Sequence, residues 1–309
     1  MSKILTCLAV CVVLQYGTAL AADSTQATAP VHGSTNLHWG NAVVLGIVEG
    51  ITEYLPVSST GHLLLTERIM GMSRTSEARE AADAYAIIIQ IGAIFAVFGI
   101  YRKRILEMIR GIFGRDAAGL RLAMMLVLGF LPAAVLGPVL EHTIKSHLFG
   151  PWPIVAGWFV GGIVIFFKPN NRGRESVNST EGITWRHALI IGLFQVTAMW
   201  PGVSRSLATI LGGMIAGLSI STAVEFSFLL GLITLGAATS YEMMHLGGAV
   251  VTAYGIGPSL TGIVCSFIAA WLSVKWLLSY VRNRGLTLFG YYRVLLAVVT
   301  ALLLYSGVI

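Results

Sequence analysis

Two apolar segments of this chain stop too early to cross a bilayer. Residues 41–55 and 186–200 are each cut off by a proline, pass into serine-rich polar sequence, and resume as short apolar pieces at 60–70 and 205–218. A full span needs about 20 apolar residues. Backbone that leaves the helix at membrane depth is tolerated only where it is buried in protein or lines a cavity. The pattern therefore predicts two re-entrant helical hairpins. Longer apolar runs at about 84–101, 119–140, 151–167, 222–241, 257–279 and 289–308 predict six full transmembrane helices. The expected fold class is all-α and polytopic.

Composition agrees. The chain is 56% hydrophobic and only 11% charged, against about 25% charged residues in soluble domains. Its net charge of +6 does not point to nucleic acid, because the basic residues gather in a few loops, as membrane topology requires. Residues 1–22 read as a signal peptide, with Lys3 as the positive end, a short apolar stretch, and Ala19-Leu20-Ala21 as a small-residue cleavage site; the alternative is an uncleaved anchor. Residues 23–38 read as a polar, disordered tether, and 39–309 as the membrane-embedded domain. Cys7 and Cys11 fall in the signal, which leaves Cys265 without a partner for an internal disulfide or a thiolate metal site.

Loop charge orients the chain. Arg102, Lys103, Arg104, Arg110, Arg115 and Arg121 share one side with Lys168, Arg172, Arg174, Arg186, Arg282, Arg284 and Arg293. The opposite side has only Arg68, Arg74, Arg79 and Lys145. The positive-inside rule then puts the loops 67–83, 141–150 and 242–256 outside, with both mature termini. The first hairpin enters from outside and the second from inside. The two also resemble each other: Gly46-x-x-Glu49 matches Gly192-x-x-Gln195, and Ser58 follows Gly46 at the distance at which Ser204 follows Gly192. This is the signature of an inverted repeat whose broken helices meet near the midplane.

The hairpin tips carry the chemistry. A charged residue within the bilayer costs at least roughly 2.5–3.5 kcal/mol, so glutamates, a histidine and an arginine there need an offsetting ligand, and phosphate fits best. Glu49 and Glu53 are spaced i, i+4 and share a helix face, where like charges repel. A divalent cation between them, Mg2+ or Ca2+, or one protonated partner would relieve this; the alternative is a helix edge facing water. Ser58 or Ser59 can cap the restarted helix, whose free N–H groups attract anions. His62 lies one turn beyond either serine, a base–nucleophile spacing. The plainer reading makes the serines caps and the histidine structural.

In the second hairpin Ser204 is the cap, Gly202 permits close backbone approach, and Arg205 offers a bidentate fork to phosphate oxygens. The alternative is an arginine snorkelling to the inner surface. Thr209 either touches the ligand or bonds back to its own helix. Gln90, Gln195 and Glu225 are expected to hydrogen-bond between helices, and His142, His147 and His245 to lie in loops or interfaces.

These motifs resemble those of the undecaprenyl-diphosphate phosphatase family, the membrane enzymes linked to bacitracin resistance. The family's (E/Q)xxxE followed by PVSSTGH reads here over residues 49–62, and its PGxSRSxxT over 201–209. Supporting stretches lie at 89–94 and 225–230, and the resemblance covers roughly 40–309. Leu207, Ile220 and Ile233 depart from the family's usual residues, and Leu207 is expected to narrow the pocket.

The resemblance implies hydrolysis of undecaprenyl diphosphate to the monophosphate, recycling the lipid carrier for cell-wall synthesis. It implies a periplasm-facing site in the bacterial inner membrane, with a divalent cation. The catalytic set is then Glu49, Glu53, Ser59, His62 and Arg205, with Ser59 attacking phosphorus and His62 or Glu53 taking its proton; direct attack by water or by His62 itself is the alternative. Ser58, Thr60, Gly202, Ser204, Ser206 and Thr209 are the substrate-binding residues, and Glu49 and Glu53 the metal ligands. A homodimer is carried as a further expectation. The chief rival is a prenyl-phosphate transporter or flippase, since inverted repeats with broken helices are transporter architecture; a non-catalytic lipid-binding protein would not need two carboxylates beside a nucleophile.

Overall fold

The computed structural model describes residues 39–72, 76–169 and 177–308. The signal and tether, 1–22 and 23–38, lie outside the described residues. The first hairpin is α1 (Trp39–Thr52) and α2 (Ser59–Ile69). It leads into α3 (Ser76–Ile100), the short α4 (Arg102–Ile112), α5 (Ala117–His147) and α6 (Pro151–Phe166). A 3-10 turn, Thr180–Gly182, precedes the second hairpin of α7 (Trp185–Thr197) and α8 (Arg205–Ile215). The chain ends with α9 (Ile220–Tyr254), α10 (Ile256–Arg284) and α11 (Thr287–Tyr305).

Among the described residues, five stretches are long and apolar enough to cross a membrane: Ala81–Ile100, Ala117–Leu140, Ile220–Met244, Ile256–Arg284 and Thr287–Tyr305. The protein is a multi-pass, all-α membrane protein. The sixth expected span is α6, and its 16 residues reach only about 24 Å. Pro151 starts this helix at its first position, and Lys168-Pro169 follow its end, so its length is fixed by sequence punctuation at both ends. The expected outer loops are also shorter than hydropathy suggested. Helix α3 begins at Ser76, α5 continues to His147 and α9 to Tyr254. Hydropathy marks where lipid contact ends; at the start of α3, Glu77, Ala78, Arg79, Glu80, Ala81 and Ala82 have good helix propensity and carry the helix on into the polar zone.

Helix pairing repeats in the two halves. Helix α1 packs chiefly on α10, as α7 packs on α5; α3 pairs with α9, and α6 with α11. A two-fold relation that exchanges the halves gives this pattern. The matched glycines do the same work in each half. A Cβ on Gly46 would run into the Gly262 carbonyl of α10, and one on Gly192 into the Gly129 carbonyl of α5. Small residues at these crossings let the helices approach closely, the usual basis of helix association in lipid.

Candidate active site

Each hairpin breaks its helix in the same way. Helix α1 ends at Thr52, yet the Glu53 N–H still donates to the Glu49 carbonyl at 2.9 Å, which keeps both carboxylates on one helical face. The chain then turns through Pro56 and restarts at Ser59, with Ser58 at φ 71°. In the second hairpin Ser204 holds φ 79° and α8 starts at Arg205. Among the described residues these two serines are the non-glycine positions with positive φ. Gly202 sits at φ 95°, where a side chain would meet the Ile154 backbone of α6.

The restarted helices bring residues from both hairpins together. Ser59 Oγ donates to Glu53 Oε2 at 2.5 Å. Arg205 Nη2 donates to the other oxygen, Oε1, at 3.1 Å, and Arg205 Nη1 donates to the Ser227 carbonyl of α9 at 3.3 Å. Glu53 thus links the candidate nucleophile to the candidate phosphate fork. Tyr54 presents its ring to the Arg205 guanidinium at 5.3 Å, and Gly231 leaves the space that guanidinium occupies. Ser206 Oγ donates to the Leu55 carbonyl at 2.9 Å, a direct tie from the second hairpin to the first turn. Thr209 bonds back to the Arg205 carbonyl at 2.8 Å and meets the Ser227 hydroxyl at 2.6 Å.

Two expectations need correction. His62 does not face the Ser59 hydroxyl. Its Nδ1 pairs with the Ser58 carbonyl at 2.7 Å and its Nε2 with the Tyr292 hydroxyl at 2.7 Å, while its ring meets Trp158 edge-on. With both ring nitrogens paired in this way, the Ser59 hydroxyl is left to Glu53. Ser58 also makes no side-chain cap. Ser204 does, accepting from the Leu207 N–H at 3.3 Å, so the two serines share backbone shape rather than capping. Thr60 is exposed, whereas Ser58, Ser59, Gly202, Ser204, Ser206 and Thr209 are buried.

Glu49 is 1% exposed and its Oε1 has no hydrogen-bond partner. A buried carboxylate oxygen of this kind is costly unless something else meets it. A hard cation bound through one or two carboxylates and substrate oxygens is such a partner, so Glu49 and Glu53 fit a divalent ion of the Mg2+ type. Among the described residues no cluster of three or more histidine, cysteine, aspartate or glutamate side chains offers a cage of its own.

A family model described as bacitracin resistance protein BacA matches residues 42–299. The chain belongs to this family. It is similar to the undecaprenyl-diphosphatase of Sorangium cellulosum, 43% identical over 84% of this chain and 84% of that protein. It is also 37% identical to the undecaprenyl-diphosphatase of Methylococcus capsulatus, over 88% of this chain and 97% of the relative. With undecaprenyl-diphosphatase 2 of Rhodospirillum rubrum it shares 39% identity over 87% and 96% of the two chains.

The family match contains both hairpin breaks and a residue that sequence reasoning misplaced. Arg293, read from sequence as a border of the inner loop, is 0% exposed. Its fork donates to the carbonyls of Pro56 at 3.2 Å, Gly157 at 2.9 Å and Gly202 at 2.8 Å, and its Nε to Trp158 at 3.3 Å. Tyr292, Ser227 and Tyr54 were missed as well. The expected interhelical bonds are present: Thr239 donates to Gln90 at 2.8 Å, Thr234 to Gln195 at 3.1 Å, and Arg104 to Glu225 at 2.9 Å.

Proposed function

We propose that this chain hydrolyses undecaprenyl diphosphate to undecaprenyl phosphate and inorganic phosphate in a bacterial inner membrane. The reaction returns the lipid carrier to cell-wall synthesis and confers bacitracin resistance. The observation that carries the reading is the Ser59–Glu53–Arg205 array, a hydroxyl, its proton acceptor and a guanidinium fork held together at the tips of two broken helices. The printed names of the relatives support the same substrate.

In the proposed reaction Ser59 Oγ attacks the terminal phosphorus while its proton passes to Glu53 Oε2. The bond from that phosphorus to the bridging oxygen breaks, and undecaprenyl phosphate leaves with the bridging oxygen. Water then attacks the phosphoserine, giving up a proton as Ser59 regains one, and inorganic phosphate departs. Arg205 offsets charge on the phosphoryl oxygens through fixed donors in a water-poor site, where such donors count most. His62, held by Ser58 and Tyr292, lines the turn and orients the restarted helix. A divalent cation, Mg2+ or Ca2+, held by Glu49 and Glu53, would neutralise diphosphate charge.

The charge asymmetry of the loops supports an active site that faces the periplasm. A homodimer is the further partner proposed, checked by the mass of the purified protein in detergent. The decisive experiment is phosphate release from undecaprenyl diphosphate by purified protein in detergent. Turnover that is lost in Glu53→Gln supports the phosphatase. Transfer of a prenyl phosphate across vesicles without phosphate release would instead make the chain a transporter.

A further inference from the structure

Among the described residues, Arg293 is a buried charge without a counter-charge. Its hydrogen bonds, among the described residues, run to four backbone carbonyls and to no carboxylate. A buried cation held only by carbonyls is costly, and an apolar residue of similar size would often stabilise the fold more. The cost has to be offset by what the contacts accomplish. Pro56 belongs to the first hairpin turn and Gly202 to the second, while Gly157 and Trp158 lie on α6. The fork therefore ties both helix breaks to one strut. Gly161 of α6 is kept free of a side chain where the guanidinium passes, so the socket is built around this residue. The contacts lie two residues before Ser58 and two before Ser204, the strained positions that aim Ser59 and Arg205.

We infer that Arg293 is a positioning residue of the reaction: it locks the two re-entrant turns at a fixed separation and so sets the distance between Ser59 and Arg205. It touches neither group. The inference rests on the phosphatase reading above for its kinetic arm only. A small misplacement of reacting groups costs about 100-fold in rate, and the loss falls on kcat, because Arg205 and the backbone donors still bind the diphosphate.

The test uses full-length protein in detergent, with Arg293→Lys, Gly161→Ala, which crowds the fork while keeping its charge, and Gly40→Ala, where an added methyl meets open space, as control. In Arg293→Lys and Gly161→Ala, kcat for undecaprenyl diphosphate should fall about 100-fold with KM within about threefold of wild type. Hydrogen exchange should rise together in peptides covering 54–60 and 200–206 and stay unchanged elsewhere. If Arg293→Lys does not accumulate, Gly161→Ala carries both readouts. Unchanged kcat in folded variant, or exchange that rises across the whole chain, overturns the proposal. A wild-type protein that releases no phosphate overturns the phosphatase reading instead, and the paired exchange of the two turns still decides for or against the lock.

Discussion

Ser58 and Ser204 adopt the same rare backbone conformation, φ 71°, ψ 103° and φ 79°, ψ 118°, one at the break in each hairpin. Serine there costs about 1–3 kcal/mol relative to an unstrained position. The surrounding contacts must over-determine it: Arg293 holds one carbonyl before each serine, and Ser206 ties the first turn to the second. Two equivalent strained turns, facing each other, set where α2 and α8 begin.

Ser58→Gly is therefore expected to fold at least as well as wild type and to keep at least half its activity. Ser58→Val, which resists positive φ, should lower the melting temperature and most of the yield. Ser58→Ala should cost less than the roughly 1 kcal/mol of a lost cap, because the Ser58 hydroxyl makes none. Thermal unfolding in detergent checks all three.

Ser59→Ala is expected to abolish phosphate release while retaining diphosphate binding, since Arg205 and the turn N–H groups remain. Glu53→Gln should lower kcat by about 10²–10⁴, the usual contribution of a positioned base. His62→Asn should lose less than either, because His62 bonds Ser58 and Tyr292 rather than the nucleophile. A His62 variant as inactive as Ser59→Ala would reverse the assignment.

For Arg205→Lys, a single ammonium cannot reach Glu53, the Ser227 carbonyl and a phosphate at once. Activity should drop about 10²–10³-fold, on the scale of losing a transition-state donor, with the protein still folded. Steady-state kinetics alongside a thermal scan measures both.

Excess chelator should stop turnover, and added Mg2+ or Ca2+ should restore it. Glu49→Gln should raise the cation concentration needed by at least about tenfold, the scale on which even an outer partner of a metal ligand matters. Full activity in chelator would remove the ion from the mechanism.

Sidedness is open to direct labelling. In a background without Cys7, Cys11 and Cys265, a cysteine at exposed Ser146 should react with a membrane-impermeant thiol reagent on intact cells. One at exposed Arg115 should react only after permeabilisation. The opposite pattern would move the site to the other face.

The hairpins were legible because proline and serine interrupt apolar runs, and punctuation survives any packing. The length of α6 was legible too, had Pro151 and Pro169 been weighed above hydropathy. The partner of Ser59 was legible only as a choice between His62 and Glu53, since both lie within reach of the restarted helix and Tyr292, which takes up the His62 ring, lies 230 residues away. Arg293 was the deepest miss. Its neighbours Tyr291, Tyr292 and Val294 look like the border of any span, and its partners are backbone carbonyls, which leave no trace in residue identity.

The division of labour between the halves has a genetic consequence. A fragment encoding 1–167 holds the hydroxyl and both carboxylates, and one encoding the remainder holds Arg205, Ser227 and Arg293. Neither has the whole proposed set. Made as two separately initiated chains, they should restore phosphate release only if they assemble in the same bilayer.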